Sequence, residues 1–249
     1  MTKINKKILV RCFLLLFVVL LVILFNVKFV IIGGKLYNLN STEIKLDYSV
    51  GNLHYDLKGL ERFRNLEYLS INGADCETMR KLPSLKQLKV LWITYSDLSD
   101  SDVLGKFESI NTIHCLNCNF TFTGRSDSNI KKLELLLCNI EGIGNFGNYE
   151  NLSDLWIMGA YAPYCEYVMP DNKEDKSITL DEGVLYLDDS SGFASLDGIR
   201  SLVLTDIIIR DISGFLEMDN LEELDVSRGF ISEEQKATLQ NKGISVSDD

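Results

Sequence analysis

The chain has 249 residues, enough for one sizeable domain or two small ones, and carries 25 Lys and Arg against 36 Asp and Glu, a formal charge of −11. Six of the basic residues (Lys3, Lys6, Lys7, Arg11, Lys28 and Lys35) fall before residue 36 with no acidic residue among them, leaving 19 basic against 36 acidic side chains beyond it, a balance of −17. Such a surface repels phosphate backbones, which argues against nucleic acid as a partner, and it resists lying flat on an anionic membrane.

The first predicted element is apolar. Residues 12–32, CFLLLFVVLLVILFNVKFVII, include only Asn26 and Lys28 as polar members. At about 1.5 Å per residue, a helix of this length spans roughly 31 Å, the hydrocarbon thickness of a bilayer. A cleavable signal peptide would have an apolar stretch of about 7–15 residues ending in small side chains. This stretch is longer and runs into "IIGGK". It therefore predicts an uncleaved, single-pass transmembrane signal-anchor helix over 12–32, followed by a linker over 33–42. Lys3, Lys6, Lys7 and Arg11 keep residues 1–11 cytoplasmic and place the remainder outside the membrane, at the cell surface.

Beyond the anchor the sequence repeats. Rows of 22 residues align Leu66, Leu88 and Ile110; Leu69, Leu91 and Ile113; Ile71, Ile93 and Cys115. After a two-residue deletion the columns continue as Ile130/Leu152, Leu133/Leu155 and Leu135/Ile157, and they return as Ile199/Leu221, Leu202/Leu224 and Leu204/Val226. The L-x-L core has a period of two, so it is a short strand with both apolar residues on one side. After it, Met79, Leu82, Leu85 and Leu88 recur every third position, which fits a 3₁₀ turn better than an α-helix. A single such unit cannot bury its apolar edge, so the units stack into a solenoid with a parallel sheet on one side.

Strands are predicted at 44–48, 68–72, 90–94, 112–116, 132–136, 154–158, 201–205, 223–227 and 244–246. A further strand is required between 158 and 201, either SITL (177–180) or VLYL (184–187). EIKLDY opens the array as a cap. SEEQKATLQNKGISV closes it as a helix stopped by Gly243 and a last strand, within a C-terminal cap over 231–249.

INTIHCLNCNF (110–120) and IKKLELLLCNI (130–140) read as L-x-x-L-x-L-x-x-N/C-x-L. Over residues of about 40–247 the chain resembles the leucine-rich repeat family, and its 22-residue period resembles the bacterial, internalin-like subclass. The resemblance implies an α/β solenoid over 43–249 with a parallel concave sheet and short 3₁₀ or turn segments on the convex side. The family often works as a binding module, though the motif is nearly silent about the ligand; no enzyme activity and no cofactor are expected, since the chain lacks catalytic motifs. The chain departs from the family in one column. Where Asn is usual, it has Gly51, Ala74, Ser96, Cys118, Cys138, Ala160, Gly183, Ile207 and Gly229. Without that hydrogen-bonding side chain the expectation is a looser coil, with water satisfying the turn.

The two tryptophans, Trp92 and Trp156, lie 64 residues apart, two repeats of 22 and one of 20. Both occupy the middle of L-x-L and point away from the core. That column reads Ser70, Trp92, His114, Glu134, Trp156, Thr179, Val203 and Asp225, with Leu116, Leu136 and Met158 in the next outward column. An exposed apolar patch with two embedded polar groups is a candidate recognition site; the alternative is mutual cover between neighbouring strands. The irregular repeat over 161–198 begins with YAPYCEYVMPDNKEDK, which either extends the patch through Tyr161 and Tyr164 or is a plain insertion.

Signals for chemistry are sparse. HCLNC (114–118) has metal-site composition, but Cys115 takes a core position while His114 points the opposite way, so no metal site is predicted. Cys118 and Cys138 share a column of adjacent coils, near enough either to bridge or to remain two buried thiols. With His54 and His114 the only histidines, no nucleophile–base arrangement can be assembled. The reading is a membrane-anchored, extracytoplasmic module that binds a protein or peptide through its concave face. The alternative is a self-associating structural component of the envelope.

Overall fold

The computed structural model describes residues 6–47, 57, 59–98, 108–121, 129–141, 149, 151–159, 178–181 and 184–248. It opens with helix α1 (Lys6–Lys28), which passes directly into a hairpin of β1 (Phe29–Ile32) and β2 (Lys35–Asn38). The predicted 12–32 helix is therefore corrected: its last four residues are strand, and the predicted linker contains β2. The cause is Gly33–Gly34, at φ 55° and 74°. A two-residue hairpin turn with positive φ at both positions favours glycine. Val30 and Ile32 bury inward while Ile31 and Leu36, paired across the hairpin, stay exposed. Among the described residues no helix is long and apolar enough to cross a membrane; the described side chains of α1 run unbroken from Cys12 to Ile23.

Among the described residues nine strands form one parallel sheet. In spatial order they are β3 (Glu43–Asp47), β4 (Tyr68–Asn72), β5 (Val90–Thr94), β7 (Thr112–Leu116), β9 (Lys132–Leu136), β11 (Asp154–Met158), β14 (Ser201–Thr205), β16 (Glu223–Asp225) and β17 (Ser245–Ser247). Six of them match the predicted bounds residue for residue. The apolar positions of L-x-L alternate inward as expected: Leu69, Ile71, Leu91, Ile93, Ile113, Cys115, Leu155 and Ile157 are all at most 3% exposed. On the other side of each coil, Met79, Leu82, Leu85 and Leu88 are buried. The expected 3₁₀ turn is corrected in part: Met79 lies in a short α-helix, α2 (Cys76–Arg80), and only beyond it do the N–H groups of Leu82 and Leu88 donate three residues back, to the carbonyls of Met79 and Leu85. The last coil ends in α4 (Glu233–Lys242), stopped at Gly243 with φ 97° ahead of β17.

The intervening strands form a second row at the turn. β6 (Asp97–Leu98), β8 (Asn119–Thr121) and β10 (Asn139–Glu141) pair in parallel beside the main sheet. The link between the two rows is a repeated left-handed residue. Gly73, Tyr95, Asn117, Leu137, Asp206 and Arg228 follow their strands at φ between 48° and 75°. The N–H of Tyr95, for example, donates to Leu116 O of the next coil, and that of Asn117 to Leu136 O. The column lacking Asn is also bonded: Ala74 N–H donates to Ser96 Oγ, which donates to Thr94 O, and the Cys118 and Cys138 thiols donate to Leu116 O and Leu136 O. The expected looser, water-filled turn is thus replaced by a coil whose described turns are bonded by protein groups. Gly51, Ala160 and Gly183 of that column lie outside the described residues.

A second correction concerns the strand required between 158 and 201. β11 pairs directly with β14, Trp156 beside Val203, so no strand intervenes in the main sheet. Both candidate segments are strands, β12 (Ile178–Asp181) and β13 (Val184–Leu187), but they form an antiparallel hairpin. That hairpin adds to β15 (Ile207–Ile209) in a separate three-stranded sheet. Counting residues per repeat could not separate an inserted hairpin from a missing coil. The insertion is held by a buried latch between its 3₁₀ turn (Ser191–Ser195) and α3 (Ser213–Glu217). Ser190, fully buried, donates from N and Oγ to Asp211 Oδ2 at 2.8 and 2.7 Å and accepts from Gly214 N at 2.8 Å. Phe193 and Phe215 meet edge to face beneath it.

Candidate functional site

The concave face is a grid of outward side chains, three per strand. In its central column Trp92 (β5), His114 (β7), Glu134 (β9) and Trp156 (β11) occupy consecutive strands, in register. The tryptophans are half-buried and outside the core, as alternation predicts. Three strand steps of about 4.8 Å put them about 14 Å apart. Thr179 does not belong to this column, since β12 lies in a separate three-stranded sheet; Val203 follows Trp156 directly.

The polar pair differs from the expected exposed one. Glu134 is 6% exposed. Lys132 Nζ lies 2.8 Å from Glu134 Oε1, and His114 Nδ1 donates to Glu134 Oε2. Burial pushes the Glu134 carboxyl up, but the Lys132 and His114 hydrogen bonds outweigh it and hold the group below its ordinary range. The Trp92 indole stacks on the His114 imidazole with centroids 4.7 Å apart and a 32° tilt. Trp156 Nε1 donates to Thr205 Oγ1 at 3.0 Å. Each indole is thus fixed by a neighbour, so the mutual cover weighed above is part of the arrangement.

In the next column Leu116, Leu136 and Met158 are half-buried on adjacent strands. Polar groups bound this run. On one side Thr94 Oγ1 donates to Asn72 Oδ1, and Asn72 Nδ2 donates to Asp47 Oδ1. On the other, Arg228 Nη2 sits 3.7 Å from Met158 Sδ while bonded to Asp206 Oδ2 at 2.6 Å. Tyr161 and Tyr164 lie outside the described residues. Lys132, Thr205 and Arg228 join the site without having been singled out. Lys132 was legible, because residues i and i+2 of a strand share a face. Thr205 and Arg228 depend on the direct pairing of β11 with β14, which spacing hid.

Cys115, Cys118 and Cys138 are thiols that form no disulfide. Burial pushes the Cys115 thiol up; the hydrogen bond with Cys118, with burial behind it, raises Cys138. Hydrogen bonds from Cys115 and Cys138 pull the Cys118 thiol down, to about 4, against its burial. Among the described residues no group of three or more His, Cys, Asp and Glu could hold a metal ion.

No protein-family model and no curated protein matches the sequence. Solved structures do match. Internalin C2 from Listeria monocytogenes is 20% identical with a TM-score of 0.48, over 86% of this chain and 78% of that one. The structure of TLR13 in complex with ssRNA13 is 17% identical with a TM-score of 0.52, over 76% of this chain and 26% of that one. A Bacteroides fragilis protein is 15% identical with a TM-score of 0.38, over 75% and 66%. Together with the strand register and the stacked coils, the TLR13 likeness makes the fold a leucine-rich repeat solenoid.

Proposed function

We propose that the chain is a membrane-tethered, extracytoplasmic recognition module whose concave face binds a protein or peptide. The observation that carries the binding half is the pair of fixed indoles on one rigid sheet, with Leu116, Leu136 and Met158 in the column beside them. Aromatic anchors held in place before binding lose little conformational entropy when a partner arrives. The acidic balance of −17 beyond residue 35 favours a partner with basic flanks and disfavours a polyphosphate. Support for the tether comes from α1, whose described apolar side chains between Phe13 and Val27 are 43–71% exposed. A continuous apolar surface of that size is unfavourable in water and favourable in lipid.

The test uses the full chain in detergent micelles. Immobilised wild type should retain an envelope protein that Trp92→Ala/Trp156→Ala retains roughly 30-fold more weakly, the effect of losing about 2 kcal/mol at a binding hot spot. Unchanged circular dichroism must accompany the loss. Equal capture by both forms removes the concave site from the reading, and self-association of the wild type through the same face favours the structural envelope role. Release of the chain from membranes by alkaline carbonate would remove the tether.

A further inference from the structure

We propose that the N-terminal end of the solenoid seats on the bilayer surface, where Arg62 and Arg64 hold the phosphate of an anionic phospholipid headgroup. This deepens the tethering half of the reading above and rests on it.

Three observations converge at this end. First, apart from Tyr95 and Phe230, every large exposed apolar side chain among the described residues lies between Phe13 and Leu36. The list includes Ile31 (61% exposed) and Leu36 (52%), which pair across the hairpin on the face turned away from the core. A hairpin with one face buried in the solenoid and an apolar pair on the other is built to touch something apolar, and it adjoins the end of α1.

Second, a cavity of about 570 Å³ opens where the apolar surface of α1 ends. Asn26 and Val27 of the helix line one side, and Arg62, Arg64 and Asn65 line the other. Arg62 Nη2 donates to Asn26 O, and Leu39 N–H donates to Lys28 O at 2.9 Å, so the helix end is tied to the first coil. Glu61 is the one carboxylate among the lining residues, and it accepts from Gly59 N at 2.9 Å. If α1 is in lipid, the step from Val27 to Lys28 falls at the hydrocarbon boundary and the cavity lies at headgroup depth. Guanidinium groups are matched to phosphate oxygens in charge and in fork geometry.

Third, the charge is distributed against the rest of the molecule. Lys28, Lys35, Arg62 and Arg64 are all exposed near this end of a domain whose balance beyond residue 35 is −17. Near an anionic surface the acidic body is repelled and the basic end attracted. The solenoid then stands on its first coil, with the concave face clear of the membrane. A free phosphate would satisfy the arginines, but it would leave Ile31 and Leu36 in water; the lipid accounts for both.

The test reconstitutes the full chain in phosphatidylcholine vesicles with and without phosphatidylglycerol, and counts lipids retained after detergent release by native mass spectrometry. Wild type should retain phosphatidylglycerol over phosphatidylcholine, and each arginine removed should lower the preference roughly fivefold, the worth of a basic residue near an anionic surface. Arg62→Gln/Arg64→Gln should reach parity while Arg62→Lys/Arg64→Lys keeps part of the preference; both substitute exposed side chains, and circular dichroism checks their folding. Equal retention of the two lipids by wild type, or an undiminished preference in Arg62→Gln/Arg64→Gln, overturns the headgroup site and leaves the tether standing. Displacement of the lipid by inorganic phosphate alone overturns the choice of a lipid. Extraction of the chain by carbonate from both kinds of vesicle defeats the tether and this inference together.

Discussion

Glu134 shows how one residue can hold a recognition surface in shape. It is nearly sealed beneath the face, between His114 and Lys132, and the imidazole it orients carries the Trp92 indole. Its carboxyl sits below the ordinary range in the folded chain, against about 4.3 when unfolded. The pairing therefore contributes stability above that unfolded value, and the contribution is lost as pH falls through the lower folded one. Glu134→Gln should cost about 1–2 kcal/mol at neutral pH, because a buried partner of Lys132 and His114 loses its charge. Urea titrations from pH 7 downwards should show the wild type falling towards the variant below about pH 4.3; parallel curves would mean that the carboxylate is not stabilised by its neighbours.

Among the elements, the turn after each strand carries the repeat. Five side-chain-bearing residues, Tyr95, Asn117, Leu137, Asp206 and Arg228, adopt left-handed backbone where Gly73 does so freely. Tyr95 is 63% exposed and contributes little burial, so Tyr95→Gly should raise stability by about 0.5–1 kcal/mol, read as a higher urea midpoint with unchanged slope. The latch under the insertion behaves oppositely. A Cβ on Gly214 would stand 1.7 Å from the Ser190 carbonyl oxygen. The backbone there cannot yield without breaking the Ser190–Asp211 bonds, and Gly214→Ala should cost at least about 2 kcal/mol in the same titration. A neutral result would mean that the insertion is not docked on α3.

At the scale of the whole molecule, each coil touches chiefly its neighbours, so stability is shared along the array instead of concentrated in one centre. Charge acts on all coils at once. An excess of 17 acidic groups beyond residue 35 disfavours the compact state by self-repulsion, with few compensating ion pairs that are other than exposed. Screening shortens from about 30 Å at 0.01 M salt to about 3 Å at 1 M. The thermal midpoint at neutral pH should therefore rise with sodium chloride over this range; a falling midpoint would show that attractive pairs outweigh the repulsion.

The sequence by itself determined what periodicity encodes. A period of two sends Leu91 and Ile93 inward and Trp92 outward, a period of three marks Met79, Leu82 and Leu85 as buried, and Gly243 ends the last helix. These are local consequences of side-chain direction, and the strands followed them. Tertiary structure decided what depends on partners distant in sequence: that β11 lies against β14, that β12 and β13 pair antiparallel in a sheet of their own with β15, and that Glu134 is covered. It also decided that the Ser96 hydroxyl accepts from Ala74 N–H and that the Cys118 thiol reaches Ile93 O, since a hydrogen bond between coils is fixed by their stacking and not by either segment alone. The Gly33–Gly34 turn lay between: its residues were in view, but an apolar run reads equally as helix or strand until the hairpin packs Val30 and Ile32 onto the first coil.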